Sequence, residues 1–159
     1  MKTSLTPEPA ANATPAPKAE TLARWEHFRH EADIGVRGLG PSREAAFEQA
    51  ALALTAVLTD PAGVRPLARV DIACRAPDDA LLLCDWLNAL IFEMATRHLL
   101  FSRFRVRIAD GRLDAAAWGE PLDTERHCPA VEVKGATHAE LQVHPLPEGG
   151  WLAQCVVDV

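Results

Sequence analysis

The sequence contains no apolar stretch approaching the roughly 18 to 20 residues needed to cross a bilayer. Its first residues, MKTSLTPEPAANATPAPKAE, contain no apolar core of the kind a secretory signal carries. A cytoplasmic protein with no membrane partner is expected. The four cysteines, Cys74, Cys84, Cys128 and Cys155, are widely spaced with no Cys-x-x-Cys pair, which argues against a zinc ribbon or a disulfide scaffold. The six histidines form no His-x-x-x-His or His-x-His pair, so a zinc hydrolase site has no support. A P-loop, a dinucleotide-binding glycine fingerprint and a Gly-x-Ser-x-Gly elbow are all missing. Positive charge is scarce too, 16 Lys and Arg standing against 22 Asp and Glu. Affinity for phosphate backbones comes mainly from Lys and Arg displacing counterions, so a basic partner or a metal suits this composition better than nucleic acid does.

What is present reads as one domain with a loose leader. Residues 1–24 are rich in Pro, Ala and Thr, with Leu5 and Leu22 as large apolar residues. That is too little burial to offset the entropy of ordering, and a disordered tail is expected there. Residues 25–159 form the candidate domain, long enough to bury roughly two-thirds of its extended surface. Short strands are expected over Trp25 to His30 and Ile34 to Leu39, separated by a turn bearing Asp33. Phe47, Ala50, Ala51, Leu54, Val57 and Leu58 then recur at helical spacing, with Pro41 and Ser42 at the start and Asp60-Pro61-Ala62-Gly63 as the stop. Val70, Ile72 and Cys74 alternate with polar neighbours as a strand with one wet side. A second helix opens at Pro77, Asp78 and Asp79, with proline in its first turn, and carries the stripe Leu83, Trp86, Leu87, Leu90, Ile91 and Met94. Phe104, Val106 and Ile108 alternate with Arg103, Arg105 and Arg107, and Asp110-Gly111 turns the chain into a strand from Arg112. Two more strands are expected, around residues 131–143 and Trp151 to Val159. Consecutive strands outnumbering helices predict an α+β domain, a largely antiparallel sheet packed by two amphipathic helices.

Three acidic clusters are candidates for chemistry. His30-Glu31-Ala32-Asp33-Ile34-Gly35 places an acid at a tight turn, where the plainer role is hydrogen bonding to its own backbone. Glu120 to His127 reads, taken alone, as a solvated loop. The last strand ends in Asp158-Val159 and, held inside a sheet, would fix two negative groups at one edge, which calls for a cation, a proton or an arginine nearby. A hard divalent ion suits such oxygens, while a frayed end is the plainer alternative. The arginine stripe at 103, 105 and 107 could contact RNA or an acidic partner, while solvation or aggregation control of a wet strand face is the plainer reading, and Lys134 is read as the partner of a neighbouring carboxylate.

Six segments, in order, resemble the archease family: His30 to Gly35, Ala51 to Leu54, Leu82 to Ile91, Gly119 to His127, Glu132 to His138, and Trp151 to Val159. The resemblance spans residues 27–159 and omits only the tail. It implies an archease-like fold and an accessory, non-catalytic protein that activates an RNA-splicing ligase. That manganese- and GTP-dependent enzyme joins 2′,3′-cyclic phosphate or 3′-phosphate ends to 5′-hydroxyl ends. The implied effect is faster guanylylation of the ligase's active-site histidine and restored turnover in tRNA splicing and RNA repair, with GTP and RNA reached only through the ligase. The family's metal positions fall on Asp33, Asp158 and, through a main-chain oxygen, Val159, for Ca, Mg or Mn. His30, Glu132 and Lys134 are expected to orient these groups. A chaperone-like module for an RNA-modifying enzyme, such as a tRNA methyltransferase, is the alternative. The chain departs from the family at Glu31, where Thr is usual, and at His138-Ala139, where Tyr-His is usual, so His138 is given no role.

Overall fold

A computed structural model describes residues 23–159, so the expected tail lies outside the described residues except at its last two positions. Of those, Arg24 already belongs to the first strand. The order is β1 (Arg24–His30), β2 (Asp33–Gly40), α1 (Arg43–Leu58), a 3-10 turn (Pro61–Gly63), β3 (Ala68–Arg75), α2 (Asp79–Arg97), β4 (Leu99–Ala109), β5 (Arg112–Pro121), α3 (Thr124–His127), β6 (Gly135–Ala136), β7 (Gln142–Pro145) and β8 (Trp151–Asp158). Two sheets result. A five-stranded sheet runs β1-β2-β8, with β6 and β7 both pairing with the far side of β8, and a three-stranded sheet runs β3-β5-β4. All of the pairings are antiparallel, as the alternating strands predicted.

The helices pack between these sheets. Ser42 caps α1 by accepting the Ala45 N–H, as the serine before the apolar repeat predicted. The single apolar face expected of α1 is too narrow, because α1 packs on β2 and β8 of one sheet and on β4 of the other. Ala46 and Ala53 are accordingly as buried as Phe47. Alanine at these positions lets two sheets approach one helix. Asp78 caps α2 by accepting the Leu81 N–H, and Pro77 precedes the cap instead of occupying the first turn. The Trp86 indole N–H donates to the Phe47 carbonyl at 3.1 Å, locking α2 to α1, and the Thr55 hydroxyl donates to the Phe101 carbonyl at 2.7 Å, locking α1 to β4. Asp110 and Gly111 both take left-handed φ, at 53° and 73°, in the tight β4–β5 turn that the Asp-Gly pair predicted.

The segment over 131–143 is not one strand. Its apolar alternation is interrupted by Gly135 and by Glu140 at a φ of 53°, and only β6 and β7 pair with β8. Between them the Thr137 N–H donates to the Val156 carbonyl at 2.9 Å. A helix side chain holds the β6 segment in place. Asn88 of α2 accepts the Ala136 N–H at 2.9 Å and donates to the Ala136 carbonyl at 3.3 Å, imitating a strand neighbour. The four cysteines are free. Burial pushes the Cys155 thiol up to about 12, consistent with a core residue and not a reactive one. Among the described residues no helix is long and apolar enough to cross a membrane.

Two substitutions test this packing. A Cβ added at Gly38 would lie 2.1 Å from the Ala46 carbonyl oxygen and 2.3 Å from the Ala50 nitrogen, both backbone atoms of α1. Gly38→Ala should therefore lower the urea-derived stability by about 3 kcal/mol or more, or prevent folding. Asn88→Ala strips the Ala136 N–H of its partner and leaves the Ala136 carbonyl only the weak Cys84 thiol donor at 3.7 Å, and should lower stability by about 1–3 kcal/mol in the same assay.

Candidate functional site

The site is assembled by strand register. β1 and β2 form a hairpin whose last pair is His30 with Asp33. The turn itself is Glu31-Ala32, with Glu31 in the left-handed region at a φ of 55°, so Asp33 opens β2 instead of sitting on the turn. On its other side β2 pairs with β8, the last matched pair being Ile34 with Val157. Continuing that register by one step sets Asp33 opposite Asp158. Asp158 in turn pairs with Gly135 of β6. His30, Asp33 and Asp158 thus form one cross-strand row. Directly paired residues in an antiparallel sheet project to the same face, here the one turned away from α1, because Gly38 and Gly40 point at the helix from the opposite phase.

Two acids facing each other across a pair repel unless positive charge intervenes. The chain end is not frayed, since the Val159 N–H donates to the Asp33 Oδ1 at 3.4 Å. On the other flank the Lys134 N–H donates to the Asp158 carbonyl at 2.8 Å. The edge thus presents two carboxylates on one face, hard oxygen ligands of the kind that Ca, Mg and Mn accept, while the Asp158 carbonyl is taken up by Lys134. Asp33 is half-buried and Asp158 exposed, so the row is open to solvent. Among the described residues no three His, Cys, Asp or Glu side chains are grouped to hold a metal ion. A cation here would need the main-chain oxygens as well as the carboxylates.

The other expected orienting residues separate. His30 lies in the row. Lys134 reaches it through its backbone, and its exposed side chain joins none of the ion pairs among the described residues, against the expected carboxylate partner. Glu132 is exposed and lines a groove of about 530 Å³ with Met94, Leu122, Val131 and Val133. Asn88 is the positioning residue that sequence reasoning missed. Its signal was an amide set between Leu87 and Leu90 in an otherwise apolar helix face.

The cluster from Glu120 to His127 is not a solvated loop. Glu120, the penultimate residue of β5, is 2% exposed. One of its oxygens accepts the Arg65 N–H at 2.8 Å and the His127 Nε2–H at 3.0 Å. The other accepts the Arg65 Nε–H at 3.0 Å and Arg126 Nη2 at 2.6 Å. His127 Nδ1 accepts the Asp123 N–H at 2.9 Å, which leaves Nε2 as the protonated nitrogen and needs no positive charge on the ring. Arg126 first, then the Arg65 backbone N–H, hold the Glu120 carboxyl far below the usual carboxylate range. Both oxygens are saturated, so the group is a structural tie from the loop before β3 to α3, and it is unsuited to proton transfer.

The model of the archease protein family matches residues 25–159. The protein archease of Pyrococcus furiosus is 38% identical over 142 residues, covering 87% of this chain and all of that relative. The protein archease of Thermococcus gammatolerans is 41% identical with the same coverage. Among solved structures, a Methanobacterium thermoautotrophicum protein solved in solution is 32% identical, with a TM-score of 0.74 over 85% of this chain and 98% of that one. The crystal structure of an archease from Thermotoga maritima, described as a possible chaperone, is similar in fold at a TM-score of 0.53 and 17% identity, over 84% of this chain and 99% of that one. Family model, relatives and fold agree over the whole described domain, and this chain belongs to the archease family.

Proposed function

We propose that this chain is an accessory protein that activates a GTP- and metal-dependent RNA-splicing ligase, with one divalent cation held by Asp33, Asp158 and a main-chain oxygen of Val159. The observation that carries the reading is the register that sets Asp33 opposite Asp158, with Val159 bonded back to Asp33 at 3.4 Å. Family membership supports the choice of partner. The absence of a motif for catalysis supports a non-catalytic role, and the buried Glu120 is fully occupied in holding Arg65, Arg126 and His127.

In this reading the β2–β8 edge approaches the nucleotide site of the ligase. The bound ion would supply positive charge to phosphate oxygens there. The residues of this chain do the positioning. The sheet fixes both carboxylates on one face, His30 flanks Asp33, and the Lys134 N–H anchors Asp158 through its carbonyl. Asn88 holds β6 beside Asp158 and so keeps the row closed on that flank.

A second reading, a chaperone-like module for an RNA-modifying enzyme such as a tRNA methyltransferase, is favoured by the apolar groove beneath Leu122 and Val131, which are 37% and 40% exposed. The two readings differ in their dependence on the acidic row. Asp33→Ala and Asp158→Ala should each reduce the rate of covalent ligase–GMP formation at least tenfold in a mixture of ligase, GTP and Mn, with unchanged circular dichroism. Full stimulation by both folded variants would remove the activator reading. Loss of a holding activity with Leu122→Asp and Val131→Asp, and not with the aspartate variants, would support the second.

A further inference from the structure

We propose that the face of the three-stranded sheet turned away from the helices binds single-stranded nucleic acid. Register aligns this face in four rows. Arg69, Trp118 and Arg103 form the first, followed by Asp71, Ala116 and Arg105, then Ala73, Asp114 and Arg107, and last Arg75, Arg112 and Ala109. Six arginines stand against two aspartates on a molecule whose net charge is −6. Positive charge is therefore sorted onto one surface, and the acidic remainder repels a polyanion from the others. Arg69 and Arg112 are engaged by Asp71 and Asp114 at 2.8 and 2.9 Å. Arg75, Arg103, Arg105 and Arg107 join no ion pair among the described residues.

The chemistry of the face selects its occupant. Three guanidinium groups gather on one indole, those of Arg103, Arg69 and Arg105 lying 5.0, 5.4 and 5.7 Å from the Trp118 ring. Guanidinium planes and aromatic rings are the surfaces on which unpaired bases stack. On β4 the arginines repeat every second residue, about 6.6 Å apart, a linear array that follows a polyphosphate better than the compact carboxylate group of an acidic protein. Two depressions continue along the strands, one of about 470 Å³ touching Arg69, Arg105 and Arg107, the next of about 370 Å³ touching Arg75, Arg107 and Arg112. A duplex keeps its base faces stacked inside and away from the Trp118 ring and the guanidinium planes, so these surfaces favour a single strand. This inference does not rest on the ligase, and it goes beyond the expectation that RNA is reached only through a partner.

The test uses the full chain alone, with no ligase and no added divalent metal. Fluorescence anisotropy is read with labelled 12-nucleotide oligouridylate, its DNA counterpart, a 12-base-pair RNA duplex and a poly-glutamate peptide, at two or more salt concentrations. The expected result is binding of one or both single strands, with affinity falling as salt rises. Each phosphate contact contributes about −0.7 to the logarithmic slope. The two single-strand arms show whether the 2′-hydroxyl matters. Charge reversal by R103E with R107E should weaken binding at least tenfold while the thermal midpoint holds. Arg103→Ala alone should reduce the slope by about 0.7, which covers the case in which the double variant fails to fold. R97E, on α2 and paired with Glu93, should stay within twofold of the parent, and Trp118→Phe should weaken binding without changing the slope. Equal affinity of the parent and either β4 variant, equal weakening by R97E, preference for the duplex, or binding of poly-glutamate alone would each overturn the proposal.

Discussion

The pairing of β2 with β8 is the constraint on which the rest depends. It joins residues 34 and 157, nearly the full length of the domain apart, and puts the last strand in the interior of the five-stranded sheet with β1–β2 on one side and β6–β7 on the other. Without it Asp33 would be a hairpin acid and Asp158 a loose end. With it, two like charges oppose each other on one face, an arrangement that a sheet tolerates when positive charge lies between them. The entropy of closing so long a loop is met by burial along β8, where Ala153, Cys155 and Val157 face the helices and are essentially inaccessible to solvent.

The helices convert this pairing into a rigid frame. α1 is clasped between two sheets at alanine and glycine contacts, and α2 is tied to it through Trp86 and to β6 through Asn88. Both sheets therefore present their remaining faces on one body. One edge gathers His30, Asp33 and Asp158. The face of the other sheet gathers arginines around Trp118. Acid and base are separated by architecture although they are interleaved in sequence.

Local pattern carried much of this in the sequence. Period-two alternation identified β3, β4 and β8, the Asp-Gly pair identified the β4–β5 turn, and capping residues identified both long helices, because each of these features is decided within a few residues. What failed was decided at a distance. The alternation over 131–143 looked like a strand, but its hydrogen bonds are divided between β8 and the Asn88 side chain. Glu120 looked solvated because one of its partners, Arg65, which bonds both of its oxygens, lies 55 residues away. That Arg69 and Trp118 share a face with the arginines of β4 was equally hidden, because only the register brings them together. Asp33 and Asp158 were legible as a pair only through the family resemblance, since no spacing rule links residues 125 positions apart.

The central claim is that the two aspartates share one ion. Crystals grown with Mn and measured at an energy where manganese scatters anomalously test it most directly. The account predicts a single anomalous peak within ordinary metal–oxygen distance of carboxylates from both Asp33 and Asp158, lost in crystals of Asp158→Ala. A peak elsewhere, or a peak at either aspartate alone that survives Asp158→Ala, would contradict it.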